Sequence, residues 1–155
     1  MRDGKQVNYS WSSEWTVAVV TRTLQVASAG ENDVIDLTEG VRKAVKEAGL
    51  GCGIVTVFVS GSTGAVTTME YEPGLVKDFP RMLERVSPKS ISYEHHKTWN
   101  DDNGRSHVKA SLIGPSVTVP FVGGELMLGT WQQVVFIELD TRPRRRDIVI
   151  QILGE

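Results

Sequence analysis

With 17 basic and 19 acidic side chains among 155 residues, a formal charge of −2 and an apolar fraction of 40%, the chain has the make-up of an ordinary soluble globule. Such a length buries about 70% of its unfolded surface without help from disulfides or metals, and no run approaches the roughly 18 consecutive apolar residues of a membrane helix. The near-balanced charge excludes a broad field for holding nucleic acid, and the lone Cys52 excludes an internal disulfide framework.

The start MRDGKQVNYSW lacks the apolar core of a secretory signal. A single domain over 1–155, located in the reducing cytoplasm and serving a small molecule rather than a membrane or nucleic acid, is therefore expected. Residues 1–14 carry no strong pattern, but the tryptophans of KQVNYSWSSEW suggest an arm that docks on something, such as a neighbouring subunit.

WTVAVVTRTLQVAS (15–28) is β-branched and partly alternating, which predicts a strand. IDLTEGVRKAVKEAGLG places Leu37, Val41, Ala44, Val45 and Ala48 at helical spacing, with Asp36 or Thr38 as cap and Gly49 as stop. GIVTVFVS (53–60) is an apolar strand opened by Cys52, whose surroundings fit a packed small group. The turn GSTGA (61–65) follows, then a strand in VTTMEY. A helix is expected from Asp78, with Pro80 in its first turn and Pro88 at its end. SHVKASLIG (106–114) reads as a short helix capped by Ser106. SVTVPFV, ELMLGTWQQVVFIELD and RRRDIVIQILGE read as three strands. Strands in succession imply antiparallel pairing, so the fold class is α+β, an antiparallel sheet with two or three helices on one face.

All three histidines, His95, His96 and His107, fall within YEHHKTWNDDNGRSH. NDDNG resembles the opening of a calcium loop, but placing Gly104 at position six puts Trp99 at position one and Ala110 at position twelve, where carboxylates are required. A polar turn with Gly104 at positive φ fits better. In an extended segment His95 and His96 would point to opposite sides, so only one can serve a compact site. The turn after Trp99 can return the chain so that His107 meets His95, with Asn103 and Ser106 orienting them. Two imidazoles are short of a zinc set, and a third ligand would have to come from Glu70 or another subunit.

Glu70 ends a strand beside Thr67 and Thr68, and gains interest only in such company. The small residues of GSTGA, including Ser62 and Thr63, would expose backbone N–H groups to an anion, although the turn lacks a Walker lysine. Arg144 and Arg146 share one face of an extended strand and offer a second anion site. Gln132 and Glu138 share a face of GTWQQVVFIELD but lie about 20 Å apart at strand rise, too far for one compact site within a chain.

YEHHKTWNDDNGRSHVKASLIGPS, with VPFVGGELMLGTWQQVVFIELD, PRRR, DLTEGV and FVSGSTGAVTTMEYEPG, closely resembles the YjbQ-like family (UPF0047), whose members are often named secondary thiamine-phosphate synthases. The likeness spans roughly residues 20–153. It implies an antiparallel α+β fold, a homotrimer, and characteristic residues at Glu70, His95, Asn103, His107, Lys109, Ser116, Gly129, Thr130, Trp131, Gln132, Glu138, Arg144 and Arg146. His96 has no counterpart in that pattern. Many relatives carry a histidine and two threonines at Gly61, Ser62 and Thr63, so a three-histidine metal site is not complete here.

The functional expectation is a small-molecule enzyme of thiamine-phosphate-synthase type acting on a phosphate-bearing substrate. His95, His107 and Glu70 would be catalytic, and Ser62, Thr63, Asn103, Lys109, Gln132, Arg144 and Arg146 would hold the substrate. A divalent ion, zinc or magnesium, would sit on His95 and His107. The alternative is a trimeric metal- or metabolite-binding protein without turnover.

Overall fold

The computed structural model describes residues 16–155; the expected arm over 1–14 lies outside them. In chain order the elements are β1 (Ala18–Ala27), β2 (Asp33–Asp36), α1 (Thr38–Ala48), β3 (Cys52–Val59), β4 (Gly64–Met69), α2 (Leu75–Val86), α3 (Glu94–Trp99), α4 (Gly104–Ile113), β5 (Ser116–Val122), β6 (Glu125–Leu126), β7 (Gln133–Glu138) and β8 (Arg145–Gly154). The fold is α+β with antiparallel pairing, as the succession of strands implies. There are two sheets, however: five strands in the order β1-β8-β3-β5-β6, and three in the order β2-β7-β4.

Side-chain alternation explains the layering. On β7, Val134 and Phe136 face Val57, Val59, Ile150 and α1, while Val135 and Ile137 face Leu83 of α2 and Ala110 of α4. The strand is thus buried on both sides, which accounts for its apolar residues at every position from 134 to 137. The three-stranded sheet is a middle layer, with the large sheet and α1 on one side and α2 and α4 on the other. Burying a side chain such as Phe136 contributes roughly 2 kcal/mol relative to exposure, so this strand anchors two cores at once.

Several local expectations change. ELMLGTWQQVVFIELD is not one strand, because Gly129–Gln132 forms a turn in which the Gln132 N–H donates to the Gly129 carbonyl at 3.0 Å, handing the chain from one sheet to the other. Helix α2 begins at Leu75 rather than Asp78. Glu72 accepts from the N–H groups of Gly74 and Leu75 and so starts the helix a turn earlier, leaving Pro80 inside it. α4 starts at Gly104, not Ser106, whose hydroxyl is buried without a hydrogen-bond partner. The segment holding His95 and His96 is helical rather than extended. Four helices replace the expected two or three. α1 has the expected extent and ends on Gly49 at φ +69°, but its N-cap is Leu37 rather than Asp36 or Thr38, with Asp36 accepting from the Thr38 N–H at 2.8 Å.

Candidate active site

The chain does double back after Trp99, and Asn100, not Gly104, takes the positive φ (52°). α3 then lies against the start of α4, and the rings of His95 and His107 meet with centroids 4.4 Å apart. Gly104 makes this approach possible. A methyl group there would fall 2.6 Å from Tyr93 Cβ and 3.2 Å from His95 Cβ, closer than side chains pack.

His96 has a different task. Its Nε2 accepts from the Gly104 N–H at 3.3 Å, satisfying one of the orphan donors of α4. Asn103, at the N-cap, makes no side-chain cap bond and is free for the site. With its amide nitrogen turned inward, it donates to His95 Nε2 at 3.2 Å and lies 3.1 Å from both carboxylate oxygens of Asp101. Asp101 Oδ2 stands 3.5 Å from His95 Nε2, where it can pair with the ring once protonated. His107 is half-buried. Desolvation first, then the charge of His95, hold its pKa below the ordinary histidine range, against the opposite pull of Asp101 and Asp140.

Both imidazoles open onto a groove of about 690 Å³ lined by Val86, Tyr93, Glu94, His95, Gly104, His107, Val108, Ser111 and Leu112. Ser111 also borders a pocket of about 150 Å³ beneath the turn of Gly61, Ser62 and Gly64. The histidine groove and the small-residue turn are therefore neighbours across one helix position.

The cations assigned to substrate sit elsewhere or are already engaged. Lys109 is two residues past His107, about 200° around the helix, and is fully buried. Its Nζ is 3.3 Å from Glu84 and 3.6 Å from Glu31, and Arg105 grips Glu31 at 2.7 and 2.8 Å. Lys109 thus ties α4 to α2 and to the β1–β2 loop, and cannot reach the groove in this chain. The hydrogen bond from Arg105 leads the causes holding the Glu31 carboxyl below its usual range.

Arg146 donates to Glu138 through two nitrogens at 2.8 and 2.6 Å and to Thr63 Oγ1 at 2.8 Å, while Arg144 donates to Asp140 at 2.8 Å. Ser28 adds its hydroxyl to Glu138 at 3.1 Å. Two arginines and two carboxylates cancel, so this centre supplies no excess positive charge. Burial pushes the Asp140 carboxyl up, but the hydrogen bond and charge of Arg144 outweigh it and hold it low. Thr63 is buried in this network, whereas Ser62 is exposed on the turn.

Glu70 and Gln132 are not brought to the histidines. Gly64 of β4 pairs opposite Glu138 and Met69 opposite Gln133, so Glu70 lies beyond the far end of the strand, more than about 17 Å away at strand rise. Gln132 donates to Thr68 at 2.9 Å at that same end. Among the described residues no group of three His, Cys, Asp or Glu side chains is placed to hold a metal ion. The residues sequence reasoning missed are Asp101, Tyr93, Val86, Val108 and Leu112. Asp101 carries only turn chemistry in the sequence, Tyr93 is the extended residue before α3, and Val86, Val108 and Leu112 lie on helix faces that no local pattern distinguishes from core.

Against this geometry, residues 22–155 match the sequence model of the family described as UPF0047 protein YjbQ-like. The chain belongs to this family. A UPF0047 protein from Methanothermobacter thermautotrophicus is 38% identical over 137 residues, covering 88% of this chain and 94% of the relative. The UPF0047 protein YugU of Bacillus subtilis is 31% identical, covering 86% and 98%. The crystal structure of a YbjQ-like protein of unknown function from Sulfolobus solfataricus P2 superimposes with a TM-score of 0.84 at 32% identity, covering 90% of this chain and all of the other. That likeness extends over the whole of the Sulfolobus chain, so the fold is shared with it. Among the described residues no helix is long and apolar enough to cross a membrane.

Proposed function

We propose that the chain is a small-molecule enzyme whose reaction centre is the His95–His107 pair, acting by proton transfer on a phosphate-bearing substrate. The observation that supports this is the convergence of two imidazoles, 4.4 Å apart, on an open groove that adjoins the Gly61–Gly64 turn across Ser111. His107, kept neutral by desolvation, is the base. His95, oriented by Asn103 and facing Asp101, carries the exchanging proton.

The phosphate would rest on the turn at Gly61 and Ser62. Arg146 Nη1 lies 2.9 Å from where a Gly61 side chain would begin and could donate a hydrogen bond there, while its charge is offset by Glu138. Lys109 has no part in this reading, and neither has Arg144, which is paired with Asp140. A transfer of thiamine-phosphate-synthase type falls within this class, but its pyrophosphate leaving group needs more positive charge than one protomer supplies.

Glu70 and Gln132 would join the site only in a homotrimer, where a neighbour's strand end adds a carboxylate and an amide but no positive charge. In keeping with such an assembly, Val19, Leu153 and Ile54 form an exposed apolar row across the outer face of the large sheet. A metal is accommodated only if water or a neighbour completes the two imidazoles, and that donor set suits zinc rather than magnesium.

The test is turnover of phosphate-ester substrates, thiamine phosphate formation among them, by purified protein. His107→Ala and His95→Ala should each lose about a hundredfold or more, and Glu70→Ala should lose activity only if protomers share the site. If the histidine variants match wild type, the assignment fails. The competing reading, a trimeric metal- or metabolite-binding protein, predicts a raised melting temperature with zinc or a metabolite and no product.

A further inference from the structure

We infer that the groove beside the histidine pair is a binding site for the apolar, ring-sized body of the ligand, so that the substrate class is an aryl or short alkyl phosphate rather than a sugar phosphate or free phosphate. This rests on the reading of the site given above and deepens it.

The walls carry the argument. Val86, Val108 and Leu112 expose 54%, 46% and 62% of their surface, and all three line the groove onto which His95 and His107 open. Tyr93, beside His95 at Gly104, is held fast. Its hydroxyl donates to the Pro88 carbonyl at 2.8 Å and shares a 2.9 Å hydrogen bond with Ser87, so the ring cannot swing away from the cavity. Among the described residues the groove is lined by no amide, lysine or arginine side chain to recognise a sugar; besides the imidazoles its polar side chains are Glu94, Ser111 and Tyr93, whose hydroxyl is already engaged.

Size selects the occupant. Val108 and Leu112 are one helical turn apart, about 6 Å along α4, which is the length of a single ring. A docking helix or strand needs a stripe several times longer. A volume of about 690 Å³ lies within the roughly 300–1,000 Å³ of small-molecule sites.

Affinities of the full chain for methyl phosphate, glycerol phosphate, phenyl phosphate and benzyl alcohol, by calorimetry, test this directly. Phenyl phosphate should bind about tenfold or more tightly than methyl or glycerol phosphate. The gain should vanish in the Val108→Asn/Leu112→Asn double variant, while methyl phosphate affinity stays as in wild type. Both positions are exposed enough to accept asparagine. Equal affinities for the three esters would overturn the inference and leave phosphate recognition intact. Binding of benzyl alcohol with no gain from phosphate would support the apolar site and overturn the phosphate reading instead. A gain that survives the double variant places the ring elsewhere and refutes the proposal. So does a double variant that sediments as a smaller species than wild type, because the groove would then be a contact between copies.

Discussion

Two polar regions flank the edge of α4, and they differ in what remains unspent. Around Glu138, Asp140, Arg144 and Arg146 every charge has a partner within hydrogen-bond range, and the centre is neutral and largely buried. The rings of His95 and His107 are instead only half-buried and face open space. Residue type alone ranks the arginines as the stronger ligand-binding candidates. The geometry reverses that order, since a bidentate arginine–carboxylate pair has already committed its donors whereas an imidazole at a groove mouth has not.

The largest effect should come from breaking the neutral centre. Arg146→Ala leaves Glu138 buried without its fork, and chemical denaturation should register a loss of about 3–5 kcal/mol. Unchanged stability with abolished ligand binding would move Arg146 across to the functional side. Next, Gly104→Ala forces α3 off α4, which should cost about 1–3 kcal/mol and separate the histidine rings, visible as loss of their mutual perturbation in NMR titration.

Acid should then distinguish the regions. A histidine whose folded pKa lies below its unfolded one contributes no change in stability at higher pH. Its fold loses stability as pH falls below about 6.5, where the unfolded chain takes up the proton first. His107 is such a group, so His107→Gln should flatten the dependence of unfolding free energy on pH just below that value. Glu31, held low by Arg105, has the same sign in a more acidic window. Its stabilisation is complete above the unfolded glutamate value, about 4.3, and is lost as pH falls through the lower folded value.

The smallest effect should follow from Lys109→Met. Its Nζ lies between Glu31 and Glu84, and Arg105 still holds Glu31 afterwards. Because Glu31 keeps Arg105 and Glu84 is about half exposed, an apolar replacement of similar volume should cost less than the loss of the Arg146 fork. Phosphate-ester affinity by calorimetry should stay at the wild-type level, and a large drop would restore Lys109 to the binding site.

What the sequence by itself determined is local and periodic. α1 was legible because Leu37, Val41, Ala44 and Val45 repeat at the pitch of the helix and Gly49 can take the left-handed conformation that ends it. β7 was legible because unbroken apolar residues mark a strand buried on both faces. The meeting of His95 and His107 was also within reach, since a polar turn between them returns the chain. α3 and β2 were not, being six and four residues long and too short for any repeat to show.

Tertiary structure alone decided which charges were already matched. Arg105 and its partner Glu31 are 74 positions apart, and Ser28 and Glu138 are 110 apart. No spacing rule reaches that far. Whether a lysine or arginine is free for a ligand depends on which carboxylate the fold brings to it, and that is settled by packing two sheets and four helices, not by the residues beside it.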